Sequence, residues 1–119
     1  MLKLAIAIAL ISTAARTADK VPQATSAGTP KSCIPLRSIR ASHVHGDQVI
    51  DFEMSDRTVY RNTLPFACSG LGFEERFGYE TSLNELCSTD IITVLRSGGG
   101  GPGPSCGLGQ FQPVTLTKR

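Results

Sequence analysis

Tryptophan is absent, tyrosine occurs twice, and only four cysteines appear in 119 residues. Two of the commonest cysteine chemistries are missing with them. There is no C-x-x-C, so no thioredoxin-like redox motif, and no close cysteine pair of the kind that opens a zinc finger. Long apolar runs are missing too. The longest, Leu4 to Ile11, has eight residues against the roughly 20 needed to span a bilayer. A basic surplus is also lacking where it would matter. From Cys33 onward eight basic groups face nine acidic ones, a net −1, so nothing prepares that part of the chain to release counterions from phosphates. Nucleic acid is excluded as a partner on this ground, and the chain is not membrane-spanning. Its length fits one small domain rather than most complete enzyme architectures.

What is present begins with a leader. Met1-Leu2-Lys3 gives a positive start and LAIAIALI an unbroken apolar stretch. Ser12-Thr13-Ala14-Ala15 then supplies small residues for cleavage after Ala14 or Ala15. This is the pattern of a secretory signal peptide, residues 1–15, and it directs the protein to the periplasm or the medium. Residues 16–32 contain no aromatic and one sizeable aliphatic, Val21, so they read as a flexible linker. The folded unit is expected over residues 33–119.

Within it the apolar period is two. Ile50, Phe52 and Met54 alternate with Val49, Asp51 and Glu53, and Ser55-Asp56-Arg57 turns the chain into a second β-rich run, Thr58 to Leu64. Leu36 to Val44 reads as a weaker preceding strand turned at His45-Gly46-Asp47. Phe73, Phe77 and Tyr79 share one face of a possible fourth strand, Asp90 to Leu95 is a further one, and Gly109 to Leu116 is a last strand that Pro113 places at an edge. Ser82-x-x-Glu85 resembles a capping box for a single helical turn. Ser97 to Gly109, with seven of the twelve glycines and two prolines, reads as a mobile connecting loop, neither strand nor helix. The expected fold is mainly β, a small antiparallel barrel or sandwich of five or six strands with little helix.

Cys33, Cys68, Cys87 and Cys106 form an even set spaced by 35, 19 and 19 residues. In an exported chain this size they read as two structural disulfides. In a plain meander Cys33 and Cys68 fall at opposite ends. A strand at 73–79 pairs Cys33 with Cys87 and Cys68 with Cys106; without it the pairs are Cys33–Cys106 and Cys68–Cys87. The first arrangement is taken.

The segments CIPL, VYRNTLPFACSGLGFEERFGYETSLNELCSTDIITVL and SCGLGQFQP, with LPxxC, LC-x-x-D and CGLG around the cysteines, resemble an uncharacterised family of small exported bacterial proteins. The resemblance covers most of residues 33–114. It implies export and a disulfide-stapled domain of unknown function, and it carries no activity or site residue.

Several patterns carry chemistry on paper. Gly103-Pro104-Ser105-Cys106-Gly107 fits G-x-S-x-G, but no strand-to-helix turn frames it. Gly98-x-Gly100-x-x-Gly103 fits the dinucleotide fingerprint only because the tract is nearly all glycine. His43-Val44-His45 puts two imidazoles on one strand face, the start of a metal site that needs Asp47 or Asp51 as a third ligand; the plainer reading is two exposed histidines at a hairpin. Asp47, Asp51, Glu53 and Asp56 lack EF-hand spacing and read as a solvated strand face. Of the aromatics, most are expected in the core, and Tyr60 and Arg61 cannot both face inward. No catalytic, cofactor-binding or metal residue is assigned, and no cofactor is implied. The expectation is a non-enzymatic binding or structural module of the periplasm or cell envelope, meeting a protein or a small envelope ligand. The rival is a metal-assisted hydrolase using His43 and His45.

Overall fold

The computed structural model describes residues 21–81, 83–98 and 100–117. The leader and Ser82 of the capping box lie outside the described residues. In chain order the elements are β1 (Ala24–Ser26), β2 (Cys33–Pro35), a 3₁₀ turn (Leu36–Ser38), β3 (Ile39–His45), β4 (Val49–Met54), β5 (Val59–Thr63), α1 (Leu71–Glu74), β6 (Phe77–Tyr79), β7 (Glu85–Cys87), β8 (Ile91–Leu95), β9 (Pro102–Gly107) and β10 (Phe111–Leu116). The strands make three antiparallel sheets, ordered β1-β10-β5-β4-β3, β2-β7 and β6-β8-β9.

Period-two alternation builds the core from β4. Ile50, Phe52 and Met54 point inward and are buried, while Phe52 meets the rings of Phe111 and Phe77 edge-on at 5.7 and 6.2 Å. The small sheets close over them with Ile34 and Leu86 from β2 and β7, and Ile92 and Val94 from β8. Tyr60 packs against this cluster, and its neighbour Arg61 faces the opposite side of the sheet. No barrel closes among the described strands, because β1 and β3 are the two ends of an open five-stranded sheet. Among the described residues ten strands stand where five or six are expected: β1, β2 and β7 are three-residue ladders with too little pattern to be seen, and β9 lies in the glycine-rich tract.

Disulfides join Cys33 to Cys87 and Cys68 to Cys106. The choice turned on a strand near residues 73–79, and β6 supplies one. Its start differs from the expectation. Gly70 (φ 89°) and Glu75 (φ 56°) are both left-handed and bracket α1 as a single helical turn, which takes Phe73 out of the strand and leaves it 86% exposed. Glu85 and Leu86, expected within a single helical turn before Cys87, instead form β7 with it on β2.

Three further expectations are corrected. Residues 24–26, read as flexible linker, pair with β10, and Lys31 bridges Phe111. None of residues 21–32 is buried, so the composition argument holds for side chains; it omits main-chain pairing, which needs no apolar surface. Pro113 therefore sits in an interior strand. Its missing N–H lies on the side where β1 leaves the ladder between Ser26 and Lys31, and its carbonyl accepts from Ala27 N at 2.9 Å. Pro102 to Gly107, read as mobile loop, is β9, the edge strand on β8. At Gly103 a Cβ would stand 3.1 Å from Val94 Cβ and from the Val94 carbonyl, so this glycine serves close approach rather than freedom.

Candidate functional site

Register across the five-stranded sheet builds one polar row on its outer face. His43 stands opposite Asp51, Asp51 opposite Arg61, and Arg61 opposite Gln112. Side chains directly opposite on antiparallel strands share a face, so four strands contribute to one patch. Arg61 grips Asp51 with two parallel hydrogen bonds, Nε to Oδ1 at 2.8 Å and Nη2 to Oδ2 at 2.9 Å. His45 Nε2 lies 3.2 Å from Asp51 Oδ2. The guanidinium and the imidazole lie over the carboxylate, of which only 2% is exposed. Asp51 thus stays on the outer face where simple alternation puts it, yet is covered there rather than solvated. Beside this centre, His43 Nε2 turns to Glu53 Oε1 at 3.4 Å, and Arg40 Nη1 lies 3.9 Å from Glu53 Oε2.

The H-x-H pair therefore shares a face but not a partner. Each imidazole is drawn to a different carboxylate, and the Asp51 oxygens are both engaged by Arg61. Asp47 points elsewhere: its Oδ1 accepts from Gly72 N at 2.7 Å. Asp56 closes the β4–β5 turn, with Oδ1 accepting from Thr58 N at 3.0 Å, and these bonds hold its carboxyl below the ordinary aspartate range. The four acidic residues do four different jobs. Ser105, in the G-x-S-x-G match, lies on β9 with its hydroxyl 2.9 Å from that of Thr93. Gly98, Gly100 and Gly103 fall in the β8–β9 connection and on β9 itself.

A second feature was not visible in the sequence. Residues 65–74 form a cap docked on the β3–β4 turn. Cys68 N donates to Asp47 O at 2.7 Å, and Leu64 and Gln48 exchange two bonds at 2.8 Å. Gly72 lies so close that a Cβ there would stand 2.7 Å from the Gly46 carbonyl carbon. Cys68, fully buried, ties the cap to β9 through Cys106. From this clamped segment Phe66 and Phe73 project into solvent, 80% and 86% exposed. The only sequence signal for it was the glycine pair flanking Leu71, which lets a helical turn start left-handed and sit on another backbone.

No family model, curated protein or solved structure matches the chain. No helix among the described residues is long and apolar enough to cross a membrane.

Proposed function

We propose that this is an exported, disulfide-stapled β module that acts by binding a protein or a small envelope ligand, and not by catalysis. The observation that carries the reading is the aromatic cap. Four of the seven aromatics, Phe52, Phe77, Phe111 and Tyr60, build or pack on the core, whereas Phe66 and Phe73 stand almost fully exposed. On a free loop an exposed phenyl ring can fold back. Here hydrogen bonds, a glycine contact and a disulfide hold the backbone, so little ordering entropy stands against contact with a partner. Rigid aromatic side chains are the commonest anchors of protein interfaces. The two disulfides fit an oxidising compartment, and the leader supplies the route to it.

Comparison of wild type with Phe66→Ser/Phe73→Ser, each immobilised against the envelope fraction of the producing cell, tests this. The double variant should keep its unfolding midpoint, because neither ring is in the core, and lose the components that wild type retains. Identical retention by both proteins would end the reading. For the metal-assisted hydrolase no observation speaks: the carboxylate nearest the histidine pair is committed to Arg61.

A further inference from the structure

The two disulfides differ in a way that bears on metal chemistry. In the Cys68–Cys106 disulfide one sulfur belongs to a completely buried residue, Cys68, and the other to Cys106, which packs partly buried against the core, whereas Cys33 and Cys87 are both partly exposed. They stand directly opposite one another in the β2–β7 ladder. Ser88 N donates to Ser32 O at 2.7 Å and Leu36 N to Asn84 O at 2.9 Å, so the register alternates and the cysteines occupy a non-hydrogen-bonded position, with Cα atoms 4.0 Å apart. Glu85, two residues before Cys87, shares its face. A carboxylate oxygen of Glu85 and the two sulfurs all lie within 4.8 Å of one another.

We propose that reduction of the Cys33–Cys87 disulfide by a dithiol converts this corner into a binding site for one Zn²⁺-class divalent cation. The ligands are the two thiolates and the Glu85 carboxylate, with water in the fourth position. The dithiol gives two electrons and two protons to the S–S bond and is itself oxidised to a disulfide. The entering cation then displaces the two thiol protons.

Three observations support the geometry. The ladder does not depend on the disulfide alone: Ile34 and Leu86, the residues between the cysteines and their flanks, are fully buried, and Cys87 N is separately held by Asp90 Oδ2 at 2.7 Å. The spacing is also right. Two Zn–S bonds of about 2.3 Å at a tetrahedral angle place the sulfurs about 3.8 Å apart. Directly opposite Cβ atoms in such a ladder are about 4.5–5.5 Å apart, so side-chain rotation suffices. Last, Glu85, exposed on the same face, supplies a hard anionic donor within 4.8 Å of both sulfurs. In sequence the two cysteines are 54 residues apart, which hides the pair from any spacing rule. This inference does not rest on the aromatic cap.

The test uses the oxidised protein titrated with dithiothreitol, quenched by alkylation and mapped by peptide mass. Cys33 and Cys87 should become alkylated at a dithiol concentration about tenfold or more below that needed for Cys68 and Cys106. Co²⁺ added to the selectively reduced protein should give thiolate-to-metal charge-transfer absorption that saturates at one equivalent and is displaced by Zn²⁺. Glu85→Gln should weaken Co²⁺ binding at least about tenfold, the loss expected for one anionic ligand. Cys33→Ser/Cys87→Ser should show no such absorption. Simultaneous opening of both disulfides, absence of charge-transfer bands in the selectively reduced protein, or undiminished affinity in Glu85→Gln each overturns the proposal.

Discussion

Asn62 offers the sharpest test of how β5 is held to the β9–β10 connection. Its side chain is fully buried, and its amide mimics a strand: Nδ2 donates to Gly109 O at 2.7 Å and Oδ1 accepts from Gly109 N at 2.8 Å. Gly109 has no room for a side chain, because a Cβ would run into the Thr63 carbonyl. Asn62→Asp keeps the shape and changes one donor to an acceptor. The ionised carboxylate would face the Gly109 carbonyl with nothing to donate between them, in a fully buried position. The protonated acid can donate to that carbonyl and restore both bonds. Burial therefore raises the folded pKa of the introduced carboxyl above its unfolded value of about 3.9, by about 2–3 units if it follows other buried acids. Below pH 4 both states hold the proton, and the variant should lie within about 1 kcal/mol of wild type. As pH rises the folded state binds the extra proton, so stability falls by about 1.4 kcal/mol per pH unit until the raised pKa is passed. At pH 7 the deficit should reach about 3–4 kcal/mol. Urea unfolding followed by far-ultraviolet circular dichroism, with disulfides intact, measures it at pH 3 and 7. Asn62→Ala serves as the control whose deficit should not depend on pH. An Asn62→Asp deficit equal at the two pH values would refute the buried amide pairing.

Two other perturbations separate the buried charges from the exposed ones. Arg61→Met leaves Asp51 covered without its bidentate partner and should cost about 3–5 kcal/mol in denaturant unfolding, most of it recovered in Asp51→Asn/Arg61→Met; a single-variant cost below about 1 kcal/mol would show that the pair behaves as a solvent-exposed one. Asp56 is the exposed case. Because hydrogen bonds from Thr58 lower its folded pKa below the ordinary aspartate value, its contribution is present above that ordinary value and is lost as pH falls through the lower folded one. The stability difference between wild type and Asp56→Ala should therefore shrink on acidification, and a difference that grows instead would contradict the turn geometry.

Local pattern carried the parts of this fold that local physics decides. Alternation over residues 49–54 named the inward set Ile50, Phe52 and Met54, and the Ser55-Asp56-Arg57 turn sits where β4 gives way to β5, even with Arg57 at a φ of 76°. The failures share another cause: each depends on what a distant strand brings. Pro113 looks like an edge residue until residues 24–31 arrive to pair beside it. The glycines and prolines at 102–107 look like a loop until Val94 is placed against Gly103.

Asp51 shows the same limit at the candidate site. By period two it faces solvent, and it does lie on the outer face, opposite Arg61 on one side and His43 on the other. Facing outward is a property of one strand; being exposed depends on the neighbours. A guanidinium from β5 and an imidazole from the end of β3 fold over the carboxylate, and a residue that should be solvated becomes a buried charge. Such a charge must be compensated where it stands, which explains why Asp51 is no longer available as the third metal ligand that the H-x-H motif requires. The chemistry the sequence advertised at His43 and His45 is spent on holding the sheet face together. Phe66 and Phe73 show the converse: no period marked Phe66, and the left-handed residues around α1 take Phe73 out of the strand that period two gave it, so both rings stand exposed on the cap.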